Sequence, residues 1–197
     1  MKITIYNFKG GVGKTSISLN LALTLGYGIV TNDVYSPLEK VIKGKDLLKL
    51  YPQQELPTFP NNCNIIFDLG GYIDNRAIEI LKISDCVIIP VINDFINLQV
   101  SLNAINEIEK INNKIVIVAN MTKKGDYAEI KSVVDNFYKY KLLEIKQSKS
   151  LSNIFKEKES IDDMTKRGGL KQYLYHDIKE QFNTLINHIN NERWNNE

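Results

Sequence analysis

The stretch Lys9-Gly10-Gly11-Val12-Gly13-Lys14-Thr15 decides the fold of this 197-residue chain. It follows an apolar run that begins at Lys2 and precedes an amphipathic segment, so it is predicted to connect a strand to a helix. Glycines allow the tight bend that turns backbone N–H groups toward phosphate oxygens, and the N-terminus of the following helix adds partial positive charge. The stretch therefore predicts a phosphate-binding loop.

The side chains of this loop are suited to bind a nucleoside triphosphate together with magnesium. Lys14 offers a mobile positive charge to the β- and γ-phosphates, and the Thr15 hydroxyl can ligate Mg²⁺. Lys9 is a second lysine, at the beginning of the loop. It is either a solvated loop lysine or a second phosphate contact, and its place at one end of the loop favours the contact. The predicted cofactor-binding residues are Lys9, Gly10, Gly11, Val12, Gly13, Lys14, Thr15 and Ser16.

Short apolar runs alternate with amphipathic segments along the whole chain, and most of the runs lack the polar alternation of a half-exposed strand. The order predicts an α/β protein with a doubly wound, mostly parallel sheet, in a single domain over residues 1–197 with a frayed tail at about 190–197. The predicted strands are Lys2–Asn7, Gly28–Thr31, Asn64–Asp68, Cys86–Val91, Lys114–Asn120 and Leu142–Ile145. The predicted helices are Lys14–Leu25, Val41–Leu50, Asn75–Ile83, Phe95–Lys110, Asp126–Tyr138 and Leu170–Ile189. The stretch Ser148–Lys171 is predicted to be irregular.

Composition excludes several classes of protein. The net charge of +2 is too small to indicate nucleic acid or membrane binding without local clustering. The two cysteines have no C-x-x-C spacing, which argues against a zinc or iron–sulfur centre built from paired cysteines. No signal peptide and no apolar run near ~20 residues is visible, so we expect a cytoplasmic protein.

Three polar residues follow predicted strands at the carboxyl edge of the sheet, where ligands bind in such folds. Asp68 ends a buried strand, and a bare carboxylate there needs a cationic partner, which favours a metal site. Asp33 is either a site carboxylate or a turn residue. Asn120 is either a turn residue or a contact to adenine, whose edge an amide matches.

The residues Lys9–Thr15 match the deviant Walker A motif of the ParA/MinD ATPases, K-G-G-x-G-K-[ST], and the chain resembles that family over most of its length. Val30–Asp33 lies where the family has switch I, Ile65–Gly71 resembles Walker B with switch II, and Asp85–Val91 resembles the strand that follows. The resemblance implies slow, partner-stimulated ATP hydrolysis in a nucleotide-sandwich homodimer. Lys9 would act on the partner's phosphates, Lys14 in its own site, Thr15 on Mg²⁺ and Asp68 on a magnesium-bound water.

The switch segments depart from the family pattern. Asp33 aligns with the second switch I aspartate, which orients the attacking water or the metal shell, but Thr31 replaces the first. Val34 and Tyr35 replace the usual Pro and Gln, and Gly70-Gly71 replaces the usual Pro-Pro. These departures imply magnesium coordination that is weaker or rearranged, and slow hydrolysis. The expected catalytic residues are Lys9, Lys14 and Asp33, and the expected metal residues are Thr15, Asp33 and Asp68.

The first functional hypothesis is a DNA-partition ATPase whose ATP-bound dimer binds DNA nonspecifically on the nucleoid and is stimulated by a centromere-binding or cargo adaptor protein. Basic residues in the second half of the chain could neutralise DNA phosphates. Acidic residues lie among them, so a solvated lysine-rich surface is the alternative. The candidates are Lys123, Lys124, Lys146, Lys149, Lys166, Arg167 and Lys171.

Two other hypotheses remain open. One is a MinD-like positioning ATPase that acts at the membrane or on protein clusters. Membrane binding would need an amphipathic basic helix near the C-terminus. The last predicted helix has an apolar stripe (Phe182, Leu185, Ile186, Ile189) but ends in a polar segment, so we expect the stripe to pack on the sheet and predict no membrane partner. A metabolic enzyme would need a constellation of catalytic residues for a small substrate, and none is apparent.

Overall fold

A computed structural model describes residues 1–71 and 75–191 of the chain. Within these ranges seven strands form one sheet, in the order β3-β2-β4-β1-β5-β6-β7. Every pairing between neighbouring strands is parallel. The strands are β1 Lys2–Ile5, β2 Gly28–Thr31, β3 Leu47–Lys49, β4 Ile65–Asp68, β5 Cys86–Val91, β6 Ile115–Thr122 and β7 Lys141–Lys146. The predicted α/β class with a parallel sheet is confirmed.

Helices cover both faces of the sheet. The core on one face packs against α1, α5, α6 and α8, and the core on the other face packs against α2, α3 and α4. The helices are α1 Lys14–Leu25, α2 Asn75–Ile83, α3 Phe95–Glu109, α4 Asp126–Val134, α5 Lys149–Glu157, α6 Ile161–Lys166, α7 Leu170–Leu174 and α8 His176–Asn191.

The apolar runs of the sequence are explained by burial on two sides. In β6, Val116 and Val118 point to the core that contains α1, whereas Ile115 and Ile117 point to the core that contains α3. Successive side chains of a strand alternate between faces, so a strand covered on both faces must be apolar at every position.

The predicted helix over Val41–Leu50 is wrong. This part of the chain contains 3-10 turns at Pro37–Lys40 and Gly44–Asp46, followed by the edge strand β3. Gly44 has a φ of 63°, which the interior of an α-helix does not accommodate, and β3 pairs in parallel with β2. Pairing with the open edge of the sheet outweighed the local helical pattern.

The C-terminal part of the chain is more helical than predicted. The stretch predicted to be irregular contains α5 and α6, whose N-caps Ser148 and Ser160 accept hydrogen bonds from backbone N–H groups of the first turns. The single helix predicted over Leu170–Ile189 is divided at Tyr175, whose buried hydroxyl accepts a hydrogen bond from Asn153. The helix predicted over Asp126–Tyr138 ends at Val134.

The apolar stripe of the last helix packs in the core, as expected, with Phe182, Leu185 and Ile189 almost fully buried. Of the predicted frayed tail, residues 190–191 belong to α8, and residues 192–197 lie outside the described residues. In the part of the chain that the structure describes, helices fall short of the length and apolarity needed to cross a membrane.

Candidate functional site

The glycine loop between β1 and α1 surrounds a cavity of about 290 Å³ at the carboxyl edge of the sheet. Gly11 and Gly13 have φ angles of 79° and 87°, in the left-handed region that favours glycine. The predicted loop therefore has the left-handed glycines that a tight bend requires. The cavity is lined by Gly10, Gly11, Gly13, Lys14, Thr15, Ser16, Asp33, Asp68, Leu69, Gly70, Gly71 and Met121.

Asn120, which lies in β6, stabilises the glycine loop through a hydrogen bond. Its side-chain Nδ2 donates a hydrogen bond to the carbonyl oxygen of Val12 at 2.8 Å. A Cβ at Gly13 would lie 2.2 Å from this Nδ2, so the close approach requires glycine. Asn120 is 1% exposed, and its Oδ1 has no hydrogen-bond partner among the described residues. The predicted contact of Asn120 with adenine stays a prediction.

The residue after Asn120 was missed by sequence reasoning. Met121 has a φ of 56° at an irregularity of the β6–β7 pairing, and it lines the cavity. Such left-handed backbone in a residue other than glycine is uncommon and is concentrated near functional sites. The sequence carried no signal of it beyond the end of an apolar run.

Lys14 is held over the loop by main-chain oxygens. Its Nζ donates to the carbonyl of Lys9 at 2.7 Å and to the carbonyl of Asn7 at 3.1 Å. Burial lowers the pKa of Lys14, and the neighbouring carboxylates of Asp68 and Asp33 act in the opposite direction. The ammonium group thus lies between the loop and the carboxylates, where a phosphate would be contacted.

Asp68 and Thr15, the predicted metal residues of β4 and α1, are in direct contact. The Thr15 hydroxyl donates to Oδ2 of Asp68 at 2.9 Å, and the hydroxyl of Ser18 donates to Oδ1 at 2.9 Å. Asp68 is 2% exposed. Its burial raises its pKa to about 6, although hydrogen bonds from Ser18 and Thr15 and the charge of Lys14 act in the opposite direction. Ser18 was not anticipated, but it lies three positions after Thr15 in α1 and therefore on the same face of that helix.

This arrangement fits magnesium. A buried carboxylate with a raised pKa gains from a cation, and Mg²⁺ commonly uses only one or two protein oxygens because phosphates and waters complete its shell. The described residues contain no group of three or more His, Cys, Asp or Glu side chains that could hold a metal by themselves.

Asp33 lines the cavity and also closes a turn. Its carboxylate accepts a hydrogen bond from the N–H of Tyr35 at 3.2 Å, and its own N–H donates to the Thr31 hydroxyl at 3.1 Å. Thr31 occupies the position at which the family pattern has its first switch I aspartate. Its hydroxyl takes part in the local turn by accepting this hydrogen bond from Asp33. Only one carboxylate oxygen of Asp33 accepts the hydrogen bond of this turn, which leaves the other for a water or a metal ion. Asp33 can therefore be a turn residue and a site carboxylate at the same time.

Lys9 is half-buried at the end of the loop. Its N–H donates to Oδ1 of Asn7 at 2.9 Å, and Asn7 is itself fixed by bonds to the carbonyl of Pro90 and the hydroxyl of Ser101. The main chain of Lys9 is thus anchored to β5 and α3. Its ammonium group has no hydrogen bond or ion pair to the described residues. Asn7 and Ser101 were not anticipated from the sequence.

The candidate DNA residues fall into two groups. Lys166, Arg167 and Lys171 form ion pairs with acidic residues of α5, α6 and the segment between them. Lys123, Lys124, Lys146 and Lys149 are exposed near the carboxyl ends of β6 and β7, and the ion pairs of the described residues do not include them. The second group therefore carries charge that is not neutralised by an ion pair among the described residues, although Lys123 lies near the carboxylate of Asp126.

No family model and no curated protein matches the sequence of the chain. Solved structures do match. A Borrelia burgdorferi B31 protein assigned to plasmid partition, solved with bound AMPPNP, has a TM-score of 0.64 at 18% identity, covering 93% of this chain and 98% of that chain. A chain of the MinC:MinD cell division protein complex of Aquifex aeolicus has a TM-score of 0.58 at 16% identity, with 92% and 95% covered.

A third structure extends the range of activities. Cobyrinic acid a,c-diamide synthase of Mycobacterium smegmatis, solved with ADP and magnesium, has a TM-score of 0.52 at 15% identity, with 84% of this chain and 94% of that chain covered. At these identities the likeness concerns the fold, which proteins of different function share. Together with the geometry of the loop, it shows that this chain has the P-loop fold of the ParA/MinD ATPases.

Proposed function

We propose that this chain is an ATP-dependent partition ATPase of the ParA/MinD family. In this proposal it forms a nucleotide-sandwich homodimer, binds duplex DNA without sequence preference and hydrolyses ATP to position plasmid or chromosome cargo. The observation that carries the proposal is the pair of lysines in one glycine loop. Lys14 is held inside the loop by main-chain oxygens, whereas the ammonium group of Lys9 at its end has no partner among the described residues.

Phosphoryl transfer depends on positioning and charge neutralisation more than on covalent chemistry, so the parts required are cations and an oriented nucleophile. Lys14 holds the phosphates of its own site. Thr15 and Asp68 would hold Mg²⁺, which when bound would supply positive charge to neutralise the phosphates. Asp33 orients the attacking water with its free carboxylate oxygen, and Asn120 supports the loop or contacts adenine.

A second copy of the chain is the proposed partner at this edge. Tyr35, Phe95 and Ile96 are 94%, 86% and 67% exposed. They follow the carboxyl ends of β2 and β5, the same edge that carries the glycine loop. Exposed large apolar side chains on the same edge as a site of charged residues are candidates for a surface that another protein covers. Dimerisation through this edge would bring Lys9 of each copy to the other copy's nucleotide.

The unpaired lysines 123, 124, 146 and 149 are the proposed DNA contacts. Phosphate neutralisation alone is sufficient for nonspecific binding, and it makes the affinity strongly dependent on salt. A centromere-binding or cargo adaptor would stimulate hydrolysis and release, and the ATP-bound dimer would be found on the nucleoid. The burial of the apolar stripe of α8 argues against the alternative of a MinD-like membrane-bound ATPase.

The deciding experiment measures binding to a duplex of random sequence with ATP, with ADP and without nucleotide, at two salt concentrations. Binding that requires ATP and weakens with salt supports the partition ATPase. In a double variant, Lys146→Gln with Lys149→Gln, the slope of log K against log salt should fall by about 2. The ion-paired residues provide the matched control, Lys166→Gln with Lys171→Gln, for which the slope should change less. Absence of DNA binding with every nucleotide would contradict the proposal and favour a protein-positioning or metabolic role.

A further inference from the structure

One side chain joins the two segments that carry the candidate carboxylates. The backbone pairing of β2 with β4 ends at Thr31 and Asp68. Beyond that point, Oδ1 of Asn32 accepts a hydrogen bond from the N–H of Gly70 at 2.6 Å. The link between the strands therefore continues through a side chain after the backbone ladder has ended.

The surroundings make this link strong. Asn32 is 2% exposed, and hydrogen bonds are stronger in a buried environment because water does not compete. Asn32 directly precedes Asp33, and Gly70 lies two positions after Asp68. Asp33, Asp68 and Gly70 all line the cavity of the glycine loop. A displacement of either segment would therefore change the spacing of the two carboxylates around that cavity.

Position 70 supplies a hydrogen-bond donor and position 32 supplies an acceptor in this chain. Gly70 can donate because it has a backbone N–H, which a proline at this position would lack. An aliphatic side chain at position 32 could not accept. The next residue, Gly71, is packed against the loop, since a Cβ there would lie 2.6 Å from the carbonyl oxygen of Phe8. The segment is thus held by Asn32 on one side and by the glycine loop on the other.

We propose that Asn32 is a positioning residue for phosphoryl transfer, which fixes the segment Asp68–Gly71 relative to Asp33 through the N–H of Gly70. The inference rests on the proposed ATPase function. Asn32 acts through its neighbours, so its removal should lower kcat more than it raises KM, because ATP binding relies on the glycine loop itself.

The test compares Asn32→Leu, which has nearly the same size but no acceptor, with Asn32→Asp, which keeps an acceptor in place. Asn113→Leu is the control, since Asn113 is exposed and precedes β6 at the opposite edge of the sheet. Exchange of the Gly70 amide is measured by NMR in the nucleotide-free full chain, and kcat and KM for ATP are measured with magnesium. If Asn32→Leu does not fold, Asn32→Ser replaces it, because the shorter side chain loses the contact.

In Asn32→Leu we expect Gly70 exchange to be faster by about tenfold or more, as a lost hydrogen bond predicts. We expect kcat to fall by about 10- to 100-fold, the range typical of residues that orient the directly contacting groups of a site without contacting the ligand themselves. KM should change by less than about threefold. Asn32→Asp should keep slow exchange at Gly70. Unchanged exchange in Asn32→Leu, or faster exchange with an unchanged kcat, would overturn the positioning role.

Failure of the proposed function would be distinguishable. If the wild-type chain binds ATP without hydrolysing it, the hydrolase assignment fails, and the magnesium concentration that half-saturates the ATP-bound chain takes the place of kcat. A rise of about tenfold in that concentration in Asn32→Leu, together with faster Gly70 exchange and an ATP affinity at saturating magnesium within about threefold of the wild type, would support the positioning role. An equal magnesium requirement in both proteins would overturn it.

Discussion

The carboxylate of Asp68 is buried, and the residue is only 2% exposed. Its pKa of about 6 compares with 3.8 for an ordinary aspartate, and burial is the largest cause. The folded chain therefore binds this proton more tightly than the unfolded chain. Stability consequently falls as pH rises from about 4 to about 6, and the unfavourable contribution of ionised Asp68 is fully present above that range.

Asp68→Asn should raise the free energy of unfolding at pH 7.5 by about 1–3 kcal/mol, because the buried charge is removed and some hydrogen bonds are kept. At pH 4.5 the gain should be much smaller, since wild-type Asp68 is then mostly protonated in the folded state. Urea unfolding without nucleotide and with EDTA at the two pH values measures this. Asp46→Asn, at an exposed position, should have little effect. An equal gain at both pH values would contradict the assigned pKa.

A substitution at Gly71 tests how closely the backbone of the segment Asp68–Gly71 approaches the glycine loop. In Gly71→Ala the new Cβ would meet the carbonyl oxygen of Phe8 at 2.6 Å, so main chain must move. We expect a loss of about 1–3 kcal/mol in the free energy of unfolding, as in other overpacked sites. Gly10→Ala is the control in the same measurement, because no heavy atom lies within 4 Å of a Cβ there. Equal stability of the two variants would show that the close approach is absent.

At the scale of elements, α1 is the link between the glycine loop and the C-terminal helices. It packs against α5 and α6, and Oδ1 of Asn20 accepts a hydrogen bond from the N–H of Ile161 at 2.9 Å. Asn20 is 1% exposed. A residue far along the sequence thus fixes the start of α6 on the helix that follows the nucleotide loop.

Asn20→Leu should lower the free energy of unfolding by about 1–3 kcal/mol, because the buried N–H of Ile161 would lose its acceptor. Affinity for ATP in the folded variant should be close to that of the wild type, since Asn20 is away from the loop. Chemical denaturation and nucleotide titration measure the two effects. Asn103→Leu, at an exposed position of α3, controls for the change of side chain. Unchanged stability of Asn20→Leu would refute the role of this hydrogen bond.

At the scale of the whole molecule, the glycine loop, the carboxylates and the exposed apolar side chains share one edge of the sheet. The parallel arrangement causes this, because the carboxyl ends of all strands lie at the same edge. In the proposed function, this edge with its exposed Tyr35, Phe95 and Ile96 is the surface that contacts a second copy across the nucleotide.

Lys9→Ala should abolish ATP-dependent dimerisation and leave nucleotide binding by the monomer largely intact, since its proposed contact is to the partner's phosphates. Sedimentation with a nonhydrolysable ATP analogue measures the first quantity, and titration with a fluorescent nucleotide measures the second. Lys139→Ala, at an exposed position after α4, is the matched control. Dimerisation that persists in Lys9→Ala would refute the role of Lys9 in the partner's site.

The sequence by itself determined the glycine loop, the parallel α/β class and most strands and helices, because these depend on local chemistry and on the period of apolar residues. Residues 9–15 fix a phosphate loop wherever they follow a strand and precede a helix. The serine N-caps of α5 and α6 were also present in the sequence as local signals, although the irregular prediction overlooked them.

Only the tertiary structure decided which distant residues meet. The edge strand β3 forms because β2 has an open edge, an influence that outweighs the helical pattern of its own residues. Ser18 on Asp68, Asn120 on Val12 and Asn32 on Gly70 are contacts between segments far apart or on different elements. No periodicity encodes such pairs, because a buried polar side chain finds its partner through the packing of the whole sheet and not through its neighbours in sequence.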